Sequence, residues 1–104
     1  DNVEFIHGDA IKYIMESDDH YGLVVFNSVL HQIYPNFEGS EEFMTKLAGM
    51  TDYLALELPL NHPLMNISPA EVESNLRKYF KIVRLLYVYN AYSSGYRANY
   101  ICYA

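Results

Sequence analysis

The stretch that decides the fold is Lys81-Ile-Val-Arg-Leu-Leu-Tyr-Val-Tyr-Asn-Ala-Tyr-Ser-Ser-Gly-Tyr-Arg-Ala-Asn-Tyr-Ile-Cys-Tyr103. Two runs rich in Tyr, Val and Ile, Lys81 to Tyr92 and Tyr96 to Tyr103, flank Ser93-Ser94-Gly95. Small turn-forming residues between β-prone runs specify an antiparallel hairpin. Side chains alternate along a strand, so Ile82, Arg84, Leu86, Val88 and Asn90 share one face and Val83, Leu85, Tyr87, Tyr89 and Ala91 the other. Both faces read as mostly covered.

Working upstream, Ser68-Pro69-Ala70-Glu71 is a capping box with proline at the first helical position, ahead of Val72, Leu76 and Phe80 at four-residue spacing. Tyr53 to Leu58 reads as a strand ended by Pro59, with a loop through Asn61-His62-Pro63. Ser40 is a good N-cap for a helix of about two turns, since Glu41 and Glu42 follow and Phe43, Met44, Leu47 and Ala48 form one apolar stripe before Gly49. Leu23-Val24-Val25-Phe26 is a continuous apolar run, which suits a parallel strand covered on both faces, ending at Asn27-Ser28. Before it, Ala10 to Glu16 carries Ile11, Ile14 and Met15 at helical spacing, and Val3 to Ile6 reads as a short strand ending at His7-Gly8-Asp9.

Alternating strands and helices closed by a hairpin imply an α/β fold: a doubly wound, mostly parallel sheet whose last strand runs antiparallel to its neighbour. Composition agrees. At 104 residues and 51% apolar content the chain is the size of one domain and is not a disordered tail. Its formal charge of -6 lacks a basic nucleic-acid footprint, and no apolar run approaches the length of a membrane span, so a soluble chain is expected. Cys102 is the only cysteine, which excludes an internal disulfide and fits a reduced, cytoplasmic setting.

The segments Val3-Glu-Phe-Ile-His-Gly-Asp-Ala10, Gly22-Leu-Val-Val-Phe-Asn-Ser-Val-Leu-His-Gln-Ile33 and Ser68 to Ala104, in that order, resemble the C-terminal two-thirds of a class I S-adenosylmethionine-dependent methyltransferase. The resemblance implies a Rossmann-like methyltransferase fold and S-adenosylmethionine as cofactor. It implies that Asp9 and Ala10 meet the adenine, that Asn27, Ser28 and Leu30 pass the methionine end of the cofactor, and that His31 stands near the reacting methyl group. The glycine-rich loop and the acidic residue that grip the rest of the cofactor in this family have no counterpart here. Both would precede Asp1, so residues 1–104 read as a partial domain with the N-terminal strands missing, inactive by itself. In such a sheet Val3 to Ile6 has no partner on either side and Leu23 to Phe26 becomes an edge, so either the chain self-associates through unpaired strand edges or the 104 residues are a segment of a larger folded protein.

Each residue also has a plainer reading. An aspartate after glycine at a strand end commonly caps the next helix, which is the alternative for Asp9. His31, just beyond a strand's carboxyl end, orients a substrate or takes a proton, or else packs against a loop. His62 sits past the next strand and is placed on the substrate side. Glu57, a carboxylate near the end of an apolar strand, must find a partner, and an internal salt bridge is the expectation. Asp18, Asp19 and His20 are consecutive and read as a solvated turn, so no metal is assigned. The tyrosines read as sheet packing and Cys102 as an inert buried thiol.

The activity these readings imply is methyl transfer from S-adenosylmethionine to a small-molecule, sugar or phosphate-type acceptor, within a larger chain. A methyltransferase-like interaction module without catalysis, or another doubly wound nucleotide-binding enzyme, are the alternatives.

Overall fold

A computed structural model describes residues 9–90 and 95–103. The strand expected at Val3 to Ile6 and the turn residues Ser93 and Ser94 lie outside them. The first helix, α1 (Ala10–Glu16), begins where Asp9 accepts from the N–H groups of Ile11 and Lys12 at 3.0 and 3.3 Å. Then come β1 (Tyr21–Asn27), a single turn α2 (Leu30–Ile33), a 3₁₀ turn at Pro35–Phe37, α3 (Glu41–Met50), β2 (Thr51–Pro59), α4 (Pro69–Arg77), β3 (Ile82–Asn90) and β4 (Tyr96–Tyr103).

The four strands form one sheet in the order β1-β2-β4-β3. β1 pairs parallel with β2, whereas β4 is antiparallel to both β2 and β3. The expected reversed strand is therefore present, and it is inserted inside the sheet instead of closing its edge. All four helices feed one apolar cluster: Ile14 of α1, Leu30 of α2, Phe43, Met44, Leu47 and Met50 of α3, and Val72 and Leu76 of α4 pack with Leu54, Leu56 and Leu58 of β2 and Ala98, Tyr100 and Cys102 of β4. Among the described residues the sheet is thus layered on one face only, where a doubly wound sheet carries helices on both.

The opposite face is open. Leu23 and Val25 are 55% and 51% exposed and Tyr53 is 47% exposed, so the apolar run of β1 is covered on one side and bare on the other. The bare side is read straight from the register: Leu23 and Val25 stand beside Tyr53 and Ala55, and these beside Tyr103 and Ile101.

Local chemistry explains the other departures. β3 has a bulge between Leu85 and Tyr87, because Leu85 opposes Tyr100 and Tyr87 opposes Asn99, leaving Leu86 as an extra residue. The alternation expected along this strand breaks there. Val83 and Leu85 lie with Cys102 and Tyr100 on the core side, whereas Tyr87 and Tyr89 turn to the open side with Asn99 and Arg97. Most of β3 is exposed, contrary to the expectation that the hairpin is covered.

Ser40 occupies the N-cap position of α3 without capping it. Its backbone is already helical and its buried hydroxyl donates instead to the Phe37 carbonyl at 2.8 Å. With Gly49 kept inside it, α3 runs ten residues. β2 is longer than expected at both ends and takes in Pro59, opposite Arg97. Ser68 forms the full capping box with Glu71. Among the described residues no helix is long and apolar enough to cross a membrane.

Candidate functional site

Ligands in open α/β sheets bind outside the carboxyl ends of parallel strands, which here are the ends of β1 and β2. The chain leaves β1 through Ser28, whose φ of 56° is left-handed and unusual for a residue with a side chain. Three bonds hold it there. Its N–H donates to the Glu57 carbonyl at 2.9 Å, its hydroxyl donates to Glu57 Oε1 at 2.5 Å, and its own carbonyl accepts from Gln32 Nε2 at 3.3 Å.

Glu57 organises the cluster. It emerges on the open side of β2, beside Asn27 of β1 and Asn99 of β4. Its second oxygen, Oε2, accepts from the Tyr89 hydroxyl at 2.8 Å, a bond that raises the phenol pKa. Arg97 Nη1 donates to Ser28 Oγ at 2.6 Å, so the serine hydroxyl bridges a guanidinium and a carboxylate. Glu57 thus finds the partner its position demanded, but through two hydroxyl groups and not the salt bridge expected.

His31 and His62 stand at the same end. Their rings meet edge to face with centroids 4.9 Å apart. His62 Nδ1 accepts from the Leu64 N–H at 3.0 Å, which fixes the ring in its turn. His31 is 2% exposed, and its Nδ1 is buried without a hydrogen-bond partner among the described residues. Burial, then the neighbouring His62, then Arg97 push its pKa below the ordinary 6.5, so the ring is neutral at pH 7. Among the described residues no three His, Cys, Asp or Glu side chains converge as a metal site.

The sequence-predicted residues therefore divide. Ser28, His31 and His62 come together, and Asn27 lies in register with Glu57 beside them. The Leu30 side chain belongs to the core, at 1% exposure. Asp9 and Ala10 are exposed at the start of α1, where Asp9 fulfils its plainer reading as a cap. Both cap bonds use Oδ1. Arg97 and Tyr89 were not foreseen. Arg97 did carry a signal, since it is the only charged residue from Leu85 to Ala104.

Clefts elsewhere are less suited. One is lined by Ser17, Asp18, Asp19 and His20 with residues of α3, at the amino ends of β1 and β2. Another, of about 520 Å³, follows β2 and is lined by Leu60, Asn61 and Asn66 with the start of α4.

No protein-family model and no curated protein matches this chain. Among solved structures it is similar to WbdD, a bifunctional kinase-methyltransferase, with a TM-score of 0.66 at 21% identity over 91% of this chain and 23% of that one. A second, high-resolution WbdD structure gives a TM-score of 0.67 at 22% identity over 96% of this chain and 24% of that one. The chain spans about a quarter of the length of the WbdD chains it matches. At this identity the likeness shows the fold alone: a small α/β domain with a four-stranded mixed sheet, shared with part of a kinase-methyltransferase.

Proposed function

We propose that this chain is the C-terminal part of an S-adenosylmethionine-dependent methyltransferase domain, acting in the cytoplasm on a small-molecule, sugar or phosphate-type acceptor as part of a larger protein. The observation that carries the reading is the sheet: parallel β1 and β2, then a hairpin whose last strand is inserted in reverse between β2 and β3. The likeness to part of a kinase-methyltransferase supports it.

The residues suit the cofactor at two points. Asp9 commits one carboxylate oxygen to its helix, leaving Oδ2 for the adenine amino group. At the strand ends His31 is neutral and Glu57 anionic, a setting compatible with a positively charged sulfonium. When bound, S-adenosylmethionine supplies an electrophilic methyl group. Asn27 and Ser28 would hold its methionine end, and His31 and His62 would position the acceptor. Methyl transfer from a sulfonium depends chiefly on alignment, so a neutral His31 serves as an orienting group.

In the full-length protein, Asp9→Ala is expected to weaken cofactor binding by about 1 to 3 kcal/mol in calorimetry. His31→Ala should lower turnover more than cofactor affinity. Full-length protein that binds no S-adenosylmethionine rejects the reading, and unchanged affinity in folded Asp9→Ala rejects the assignment of Asp9.

A further inference from the structure

We infer that Arg97 is an oxyanion-binding residue, gripping a phosphate or carboxylate group at the carboxyl ends of β1 and β2. The inference deepens the methyl-transfer reading, on which it rests for identifying that group as part of the acceptor.

Arginine offers five N–H donors in a planar fork. One bond from Arg97, Nη1 to Ser28 Oγ, is made among the described residues. No carboxylate lies within 4.0 Å of the guanidinium there, since the one such ion pair among the described residues is His20 with Asp52. The carboxylate of the cluster, Glu57, has both oxygens engaged by the hydroxyls of Ser28 and Tyr89. Its charge therefore holds the site together, and among the described residues only Ser28 Oγ engages the fork.

Burial strengthens the argument. Arg97 is half-buried, so its charge is partly removed from water, and a cation in that setting gains from an anionic partner with matching geometry. Asn99, two positions along β4 on the same open face, has a buried Nδ2 with no partner among the described residues. An amide donor without an acceptor is costly in a folded chain, and beside an arginine fork it is a ready second contact for an oxyanion. A second buried atom without a partner among the described residues at this end is His31 Nδ1. The site is fixed in advance: Ser28 is pinned by its bonds to Glu57, and its hydroxyl in turn sets the guanidinium. A chain of net charge -6 repels anions at long range, so an anion that binds must be recognised by this local fork.

The test uses full-length protein labelled with ¹⁵N-arginine, titrated in parallel with methyl phosphate and with acetate, and with calorimetry of S-adenosylmethionine on the same sample. Saturable movement of the Arg97 side-chain resonance by at least one of the two is expected. Methyl phosphate binding more tightly identifies a phosphate-type acceptor, and acetate binding more tightly a carboxylate. Followed by calorimetry of the anion, Arg97→Gln should weaken the preferred anion by about tenfold or more, and Arg97→Lys, which keeps the charge without the fork, should recover part of the loss. Circular dichroism and a cooperative thermal transition like the parent's report that both variants are folded. An Arg97 resonance that neither anion moves, or folded Arg97→Gln that binds the preferred anion like the parent, overturns the inference. If S-adenosylmethionine fails to bind the parent while Arg97 still responds to anion, the methyl-transfer reading falls and the oxyanion site stands.

Discussion

The two faces of the sheet are made from the same strands and have opposite fates. On the covered face Leu54, Leu56 and Leu58 are at most 1% exposed and lock into the side chains of α3 and α4. On the opposite side, the open face carries Leu23, Val25 and Tyr53 about half exposed, in contiguous rows with Ala55, Ile101 and Tyr103. Toward the carboxyl ends of β1 and β2 that face changes character, and Asn27, Glu57, Asn99 and Arg97 replace the apolar residues. The difference separates two roles. The covered face supplies stability, whereas the open face combines a polar end suited to ligands with an apolar remainder of the kind that marks a contact surface.

The largest effect expected from this contrast is on stability. Leu54→Ala should cost about 2 to 5 kcal/mol, as emptying a closed core position does. Leu23→Ala in the same chain, compared at a concentration where both are monomeric, should cost no more than about 0.5 kcal/mol, because its side chain then meets solvent. Urea unfolding of the two variants measures both. Similar losses would mean that the faces do not differ, and repeating Leu23→Ala in the full-length protein shows whether the open face is covered there.

A second, somewhat smaller effect concerns association. We propose that the isolated chain self-associates through the apolar rows of the open face and the edge of β1 that is unpaired among the described residues. Val25→Lys, which puts a charge in the middle of those rows, should weaken the assembly by about 1.5 to 3 kcal/mol, the worth of one buried aliphatic side chain. Light scattering coupled to size exclusion should show the variant shifted toward monomer, and a parent that is monomeric at every concentration removes the proposal.

What was legible in the sequence follows the same division. The capping box at Ser68 and the start of α1 at Asp9 are local events within four residues, and both formed where the pattern placed them. That Leu23 to Phe26 and Tyr53 to Leu58 lie in strands was legible too. What covers each face was not, because a continuous run such as Leu23 to Phe26 looks the same with one buried face or two. The bulge at Leu86 carries no glycine or proline to announce it, and it reassigned Tyr87 and Tyr89 to the open face. The polar cluster joins residues 29 and 69 positions apart, so only the strand pairing reveals it. Glu57 gave a signal in advance, as a carboxylate that an apolar strand must accommodate, and Arg97 gave another as the only charged residue from Leu85 to Ala104.

A third prediction tests the helix that carries the chain across the covered face from β2 to β3. Ser68 accepts from the Glu71 N–H at 3.2 Å while Glu71 Oε1 accepts from the Ser68 N–H at 3.4 Å. Ser68→Ala should therefore cost about 1 kcal/mol. Ser40→Ala, at a position with the same sequence signal, should not behave as a lost cap, because its hydroxyl bonds Phe37 instead. Hydrogen exchange at the first turns of α4 and α3 separates the two: only the Ser68 variant should fray its own helix.

The smallest expected effect is the pH dependence set by His31, which stands where the covered core meets the polar end of the open face. Its pKa in the folded chain is below 6.5 because burial, then His62, then Arg97 disfavour the charged ring. As pH falls, the unfolded chain therefore takes up the proton first, and protonation favours unfolding. The stability associated with neutral His31 is fully present above the unfolded value of 6.5 and is lost as pH falls from there through the folded value. Thermal midpoints between about pH 7.5 and pH 5.5 should fall for the parent, and fall less for His31→Leu, which has no proton to bind. His7, His20 and His62 are common to both proteins, so the difference between the two slopes belongs to His31 and its interaction with His62. Parallel slopes would mean that His31 takes its proton in the folded chain as readily as in the unfolded one, and that water reaches the ring at this end of the sheet.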